Sequence, residues 1–169
     1  MDVFIIFAAK YLFITSLVAY LVFSFALWRT NIQKFKYFSL LSILSFLLIT
    51  LVGKTLGFII SSPRPFVTEN IQPLIDHAAN NGFPSAYTLI TIAIASVIFA
   101  YNNKLGIVLF AIALLVGTAR VLAYIVHPID IIGSALIGTS VTAVVFLLVS
   151  LYSMYNDDSG TPGASDFIN

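Results

Sequence analysis

Cysteine is absent from this chain, and charged residues are scarce. Without cysteine, the protein forms neither a disulfide framework nor a thiolate metal site. Aspartate, glutamate, lysine and arginine together make up 9% of the residues, and the formal net charge of +1 gives no basis for binding nucleic acid. Hydrophobic residues, by contrast, make up 60% of the sequence, and the mean hydropathy is +1.03. This composition is typical of an integral membrane protein whose partners include membrane lipids.

Long apolar runs divide the chain into segments of the length that a membrane-spanning helix needs, about 20 residues. Five stretches approach that length: 9–28, 37–60, 85–101, 105–126 and 129–152. An apolar start, residues 3–7, either lies along the membrane interface or extends the first span. We therefore predict an all-α membrane bundle of about five transmembrane helices over residues 1–154. The remaining segment, 155–169, is polar and acidic, and we expect it to be a mobile tail.

The basic residues predict which side of the membrane each connection faces. Residues 29–36 and Lys104 form short basic connections, and the positive-inside bias places both in the cytoplasm. The two other connections and the N-terminus then lie outside, and the C-terminal tail lies in the cytoplasm. Arg64 and Arg120 fall at the outer ends of spans against this bias. Topology does not account for them, which leaves packing or function.

Two of the outer cations lie at or near the end of the second span. Lys54 is about two turns before that end, where it either snorkels to the lipid headgroups or faces a site. Arg64 stands between Pro63 and Pro65. Each proline fixes its own φ and restricts the residue before it, so Arg64 is held on extended backbone. It is either an interfacial anchor or a ligand for an anion.

The other polar residues of this face lie at helix ends. Ser85 opens the third span, where it is an ordinary helix cap or part of an anion site at a helix N-terminus. Arg120 lies near the end of the fourth span, and His127 and Asp130 open the fifth. Asp130 alone is also what the helix dipole favours in a first turn. Taken together with the other cations, this set predicts a site for the phosphate group of a lipid, reached from outside.

The order of these residues resembles a known family. It resembles the three-part signature of the type 2 phosphatidic acid phosphatase superfamily. The residues that carry this resemblance are Lys54, Pro63-Arg64-Pro65, Phe83-Pro84-Ser85, Ala119-Arg120, Pro128 and Asp130. The segments PRPFV at 63–67 and HAANNGFPS at 77–85 resemble most closely the linker of its bacitracin-resistance-type undecaprenyl-diphosphatases. The resemblance covers roughly residues 51–137.

This resemblance implies a helical bundle in a bacterial-type plasma membrane with its site on the extracytoplasmic side. It implies hydrolysis of a polyprenyl diphosphate or related lipid phosphate, without a metal or any other cofactor. In the family, one histidine attacks phosphorus, an aspartate orients it, and a second histidine protonates the leaving oxygen. Carried over, the aspartate is Asp130, and the phosphate ligands are Lys54, Arg64, Ser85 and Arg120. No particular oligomeric state follows.

The sequence departs from the family pattern at both histidine positions. Val126 stands six residues after Arg120, where the attacking histidine belongs, and His127 comes one position late. Tyr87 stands where the acid histidine belongs, and a phenol releases its proton less readily than an imidazolium does. His77, in the outer connection, is a remote candidate for the missing acid, although it also resembles a family linker residue.

Three hypotheses follow. The protein is a lipid-phosphate phosphatase that uses His127 with Asp130, and Tyr87 or water as the acid. Alternatively, it is a catalytically impaired homologue that binds or translocates lipid phosphates without hydrolysis, or a small membrane scaffold whose polar residues only anchor it. Independently of function, Ser134, Gly138 and Thr142 recur every four residues in the fifth span. This spacing of small residues predicts a close helix contact there.

Overall fold

All of the regular elements described over residues 2–157 of the computed structural model are helices. They are α1 Asp2–Thr30, α2 Ile32–Ile59, α3 Pro65–Thr68, α4 Ala86–Phe99, α5 Asn103–Leu122 and α6 Pro128–Asp157. Four of them, α1, α2, α5 and the Pro128–Met154 part of α6, are long and apolar enough to cross a membrane, and α4 is a shorter apolar helix. The predicted all-α membrane bundle is confirmed. Helix α6 runs past the predicted end at residue 152, and the rest of the predicted tail, 158–169, lies outside the described residues.

Asparagine caps set the short turns at one end of the bundle. Asn31 precedes α2, and its side chain accepts a hydrogen bond from the Lys34 amide. Asn102 precedes α5, and its side chain accepts one from the Leu105 amide. Each cap satisfies an amide that the first helical turn would leave unpaired. The chain therefore reverses direction within a few residues at both connections.

Helix α5 ends four residues before the predicted limit at Val126. Its last residue is Leu122, because Tyr124 adopts a left-handed backbone conformation with φ of 60°. The Tyr124 amide donates to the Val121 carbonyl at 3.0 Å, and the Ile125 amide donates to the Arg120 carbonyl at 3.1 Å. This pair of bonds is the Schellman ending of a helix, with tyrosine at the position that glycine usually holds. The segment from Ala123 to His127 is therefore a turn and not a continuation of α5.

Helix α4 is the centre of the bundle, with ten of its 14 residues buried. It contacts the small-residue face of α6: Ser134 is fully buried, Thr142 is 3% exposed, and a Cβ placed on Gly138 would lie 2.6 Å from Cγ2 of Ile92. The predicted close contact at this face is confirmed. Glycine at position 138 allows the two backbones to approach this closely.

We expect Gly138→Leu to lower the free energy of unfolding by at least about 2 kcal/mol, because a leucine there overpacks the contact with Ile92. The measurement is thermal unfolding of the purified protein in detergent micelles. Ser140→Leu is the matched control, because Ser140 lies two residues further along α6 with an exposed side chain. Equal unfolding midpoints for the two variants would contradict the role given to this contact.

The linker between α2 and α4 covers the end of the bundle at which α1, α4 and α6 begin. Asn81 holds it in place, because its Nδ2 donates to the carbonyls of Gly57 at 2.6 Å and Ile60 at 2.8 Å. Its Oδ1 accepts from the Ser62 amide at 2.8 Å. One amide side chain thus caps α2 and fixes both arms of the linker. The role of Asn81 could not be predicted from sequence, because its partners Gly57 and Ile60 lie 24 and 21 residues away along the chain.

Candidate functional site

Arg64 is buried where the linker meets the turn between α5 and α6. Its Nη1 donates to the Ile125 carbonyl at 2.8 Å, its Nε to Oδ1 of Asn80 at 2.9 Å, and its Nη2 to the Asn81 carbonyl at 3.4 Å. Burial lowers the pKa of the Arg64 guanidinium, and the charge of Asp130 partly opposes that shift. A guanidinium has five N–H groups, so two remain for another partner. Arg64 therefore mainly holds the linker to the turn between α5 and α6, and it has few N–H groups left to bind an anion.

Asp130 is fully buried at the start of α6, and both of its carboxylate oxygens have partners. Oδ1 accepts from the Ser62 hydroxyl at 2.9 Å, and Oδ2 accepts from the His127 amide at 2.8 Å. The His127 ring instead places Nε2 3.1 Å from the Pro63 carbonyl oxygen. Asp130 thus contacts the backbone of His127, as a capping residue does, and holds the linker to α6.

Ser85 ties the start of α4 to α6. Its amide donates to the Ser134 hydroxyl at 2.9 Å, and its own hydroxyl lies 3.1 Å from that of Thr88. The Ser134 hydroxyl in turn lies 2.6 Å from the Asp130 carbonyl, to which it donates. Ser85 is 2% exposed. Its polar groups therefore serve the helix contact in this structure.

Arg120 lines a cavity of about 360 Å³ at the same end of the bundle. Its side chain is 4% exposed, and its Cζ lies 4.4 Å from the centroid of the Tyr87 ring. Nη1 is 3.5 Å from the Ala9 carbonyl, and Nε has no hydrogen-bond partner among residues 2–157. The ring holds the guanidinium through a cation–π contact. A buried cation with an unpaired N–H beside a cavity is arranged to accept an anion.

Five polar or charged side chains share the cavity wall with apolar residues: Lys10, Asp76, His77, Tyr87 and Arg120. Burial lowers the pKa of His77, and the positive charges of Arg64 and Arg120 lower it further, against an opposing hydrogen bond to the Ala78 carbonyl. The ordinary pKa of histidine is about 6.5, so this imidazole is mainly neutral at neutral pH. The positive charge of the wall therefore comes from its arginine and its lysine.

The predicted site residues do not all meet at this cavity. Arg120 and Tyr87 line it, and Arg64 is bonded to Ile125, which also lines it. Lys54 is exposed and lines a separate, largely apolar groove of about 420 Å³ between α2 and α4. The three predicted cations, which lie in α2, in the linker and in α5, therefore do not share one pocket.

Val126 occupies the family's histidine slot in sequence and is 1% exposed. It belongs to an apolar cluster that includes Ala8 and Ala9 of α1 and Ala119 of α5. The backbone changes direction at Tyr124, within the turn between α5 and α6. The side chain of His127, which follows Val126, therefore faces the linker at Pro63. The two neighbours are therefore in different environments, one apolar and one polar.

Lys10 lines the cavity although it belongs to no motif that indicates a site. It lies in the first apolar run, and its Nζ is 5.6 Å from the centroid of the Tyr11 ring. A lysine within a membrane-spanning segment is itself a signal of function. Its place on the same cavity wall as Arg120 depends on how α1 packs against α5, which no local motif indicates.

The family model of the PAP2 superfamily matches residues 38–153 of this chain. Bacitracin transport permease protein BcrC of Bacillus licheniformis is 30% identical over 120 residues, which are 70% of this chain and 59% of that protein. Undecaprenyl-diphosphatase BcrC of Bacillus subtilis strain 168 is 28% identical over 162 residues, 93% of this chain and 79% of the relative. The crystal structure of Aquifex aeolicus LpxE matches with a TM-score of 0.67 at 27% identity, covering 86% of this chain and 85% of that one. The chain thus spans 59% and 79% of the lengths of the two curated relatives.

Proposed function

The chain belongs to the PAP2 superfamily of lipid phosphatases, and from this premise we propose that it hydrolyses a polyprenyl diphosphate, or a related lipid phosphate, in a bacterial-type plasma membrane. The observation that carries the proposal is the Arg120 cavity, a space of about 360 Å³ lined by a buried guanidinium whose Nε has no hydrogen-bond partner in the described part of the chain. That volume is within the range of small-ligand pockets. A guanidinium fork matches the oxygens of a phosphate group.

The cavity lies on the extracytoplasmic side in this proposal. The basic connections, residues 29–36 and Lys104, are at the opposite end of the bundle from the linker that covers the cavity. Basic connections are retained in the cytoplasm. The lipid is therefore bound from the outer leaflet, and the C-terminus is cytoplasmic.

Attack on phosphorus falls to His127, whose ring lies against Pro63 and outside the lining of the Arg120 cavity, so the terminal phosphate must extend from the cavity toward the start of α6. Asp130 fixes the His127 backbone through the amide. If Nε2 carries the proton and donates to the Pro63 carbonyl, Nδ1 keeps the lone pair that attacks the terminal phosphorus. The new N–P bond forms as the bridging P–O bond breaks, and the electron pair of that bond leaves with the lipid monophosphate. Water then cleaves the phosphohistidine and releases inorganic phosphate.

A diphosphate suits this site better than a monophosphate because Tyr87 stands where the acid histidine belongs. Cleaving a diphosphate expels a phosphate monoester, whose conjugate acid has a pKa near ~6. Cleaving a lipid monophosphate expels an alkoxide that is about as basic as hydroxide and so far more basic than a phosphate monoester. The first leaving group needs little help from an acid, so Tyr87 or a water molecule suffices for it.

We expect the purified protein to release phosphate from farnesyl diphosphate at least about tenfold faster than from farnesyl monophosphate, because only the monophosphate depends strongly on an acid. The measurement is inorganic phosphate release in detergent micelles with EDTA present, against a protein-free blank. Equal rates for the two lipids would show that an efficient acid is present and would contradict the role given to Tyr87.

Binding without hydrolysis is the second candidate function. It is favoured by the buried Val126 in the histidine slot and by Asp130, whose oxygens bond to Ser62 and to the His127 amide rather than to an imidazole. In that case farnesyl diphosphate binds to the unaltered protein, but no phosphate is released above the blank. The two measurements together decide between the candidates.

A further inference from the structure

Helix α1 forms one wall of the Arg120 cavity. Ile6, Ala9 and Lys10 line it, at the three- and four-residue spacing that places side chains on one face of a helix. Ala9 is fully buried, and its carbonyl oxygen lies 3.5 Å from Nη1 of Arg120. The absence of a bulky side chain at position 9 lets α1 approach α5 closely enough to bring Lys10 to the cavity that Arg120 lines.

The charges around the cavity leave a specific role for this lysine. A phosphate group carries about −1.5 to −2 at neutral pH, which a single guanidinium does not balance. His77 is mainly neutral there, for the reasons given above, and Asp76 adds a negative charge to the wall. Lys10 is the second cation that the structure places on the wall. Lys54, the lysine that the family pattern indicates, lines the other groove.

We propose that Lys10 of α1, and not Lys54, is the lysine that binds the phosphate head group in the Arg120 cavity. The identity of the ligand as a lipid diphosphate rests on the function proposed above. Residue 10 precedes the region matched by the PAP2 superfamily, which begins at residue 38. The carboxylate of Asp76 repels the phosphate from its part of the wall, which leaves the space between Lys10 and Arg120 for the head group.

The experiment is equilibrium binding to the purified full chain, in detergent micelles, of a radiolabelled farnesyl diphosphate analogue in which a methylene group replaces the bridging oxygen and prevents hydrolysis. We expect Lys10→Gln to weaken binding about tenfold, because it removes one charge-assisted contact and keeps a side chain of similar length. Lys10→Arg, which keeps the charge, is expected to stay within about threefold of the unaltered protein. Lys104→Gln is the control, since Lys104 lies in the first turn of α5, at the opposite end of the bundle.

Lys54→Gln tests the competing assignment, and we expect it to weaken binding less than threefold. A tenfold loss in Lys54→Gln with no loss in Lys10→Gln would overturn the proposal. Equal losses in Lys10→Gln and Lys104→Gln would also overturn it, because they would reflect general attraction to positive charge. Binding is measured without turnover, so absence of hydrolysis alone leaves the lysine assignment standing, whereas absence of binding by the unaltered protein overturns both proposals.

Discussion

Replacing Arg120 with methionine is expected to weaken farnesyl diphosphate binding about 100-fold while leaving the thermal midpoint equal or higher. The loss of affinity follows from removing the guanidinium that lines the cavity, since hydrogen bonds to charged groups contribute about 1.5–3 kcal/mol each. The gain in stability follows because the guanidinium is 4% exposed and its Nε lacks a partner among the described residues. An apolar side chain of similar volume avoids that cost of burial.

The two readouts of this variant separate a binding residue from a structural one. If Arg120 mainly holds α5 to α1 through the Ala9 carbonyl, the thermal midpoint should fall together with affinity. Arg120→Lys is the matched control, since it keeps the charge but not the planar fork that stacks on Tyr87. We expect it to recover less than about tenfold of the lost affinity. Full recovery by lysine would mean that charge alone matters at this position.

His127→Ala is expected to lower phosphate release by at least about 1,000-fold, because an attacking group has no substitute in a step of this kind. The substitution tests the ring alone, since Asp130 bonds to the His127 amide and not to its side chain. The measurement is single-turnover phosphate release from farnesyl diphosphate. Thermal unfolding of the same sample checks that the start of α6 is intact.

His77→Ala is the comparison for this experiment, because His77 lines the cavity and is the other histidine of the chain. We expect it to keep at least about a tenth of the unaltered rate, as a residue of the wall that takes no part in covalent chemistry. The reverse pattern, with activity lost in His77→Ala and kept in His127→Ala, would move the attacking role to the cavity wall. The family-derived assignment of His127 would then be wrong.

Much of the fold could be predicted from the sequence, because apolar runs of the right length report directly on membrane spans. The starts of α4 and α6 lie within one residue of the predicted positions. The end of α5 could not be predicted, because it depends on Tyr124 adopting a left-handed conformation that a non-glycine residue seldom takes. The apolar residues of that turn continue the hydrophobic run of the helix, so composition gave no sign of the break.

Residues of the candidate site could be predicted only where they belong to a short sequence motif. Arg120 and Tyr87 fall on motif positions, and both line the cavity. Lys54 falls on a motif position too, yet it lines another groove, because the direction of its side chain depends on how α2 is rotated in the bundle. Lys10 is the opposite case, because it lies in no motif but lines the cavity as a result of the packing of α1 on α5.

Asp130 is a third case, because its sequence position is compatible with two different roles. An aspartate in a first helical turn caps the helix, and the same residue in a phosphatase pattern orients a histidine. The structure shows the first, with bonds to Ser62 and the His127 amide. The carboxylate occupies the same position in both roles, so only the direction of the His127 ring distinguishes helix capping from orientation of the histidine.

The wall that α1 contributes bears on which part of a lipid the protein selects. Several large apolar side chains of α1, including Phe7, Val18 and Leu21, are exposed on the outside of the bundle, where a membrane would surround them with hydrocarbon. A long isoprenoid chain can stay among its neighbours in the leaflet while its phosphates lie beside α1. If the protein acts as proposed, the length of the lipid chain contributes little to the preference for one lipid over another, and the number of phosphates at its end decides that preference.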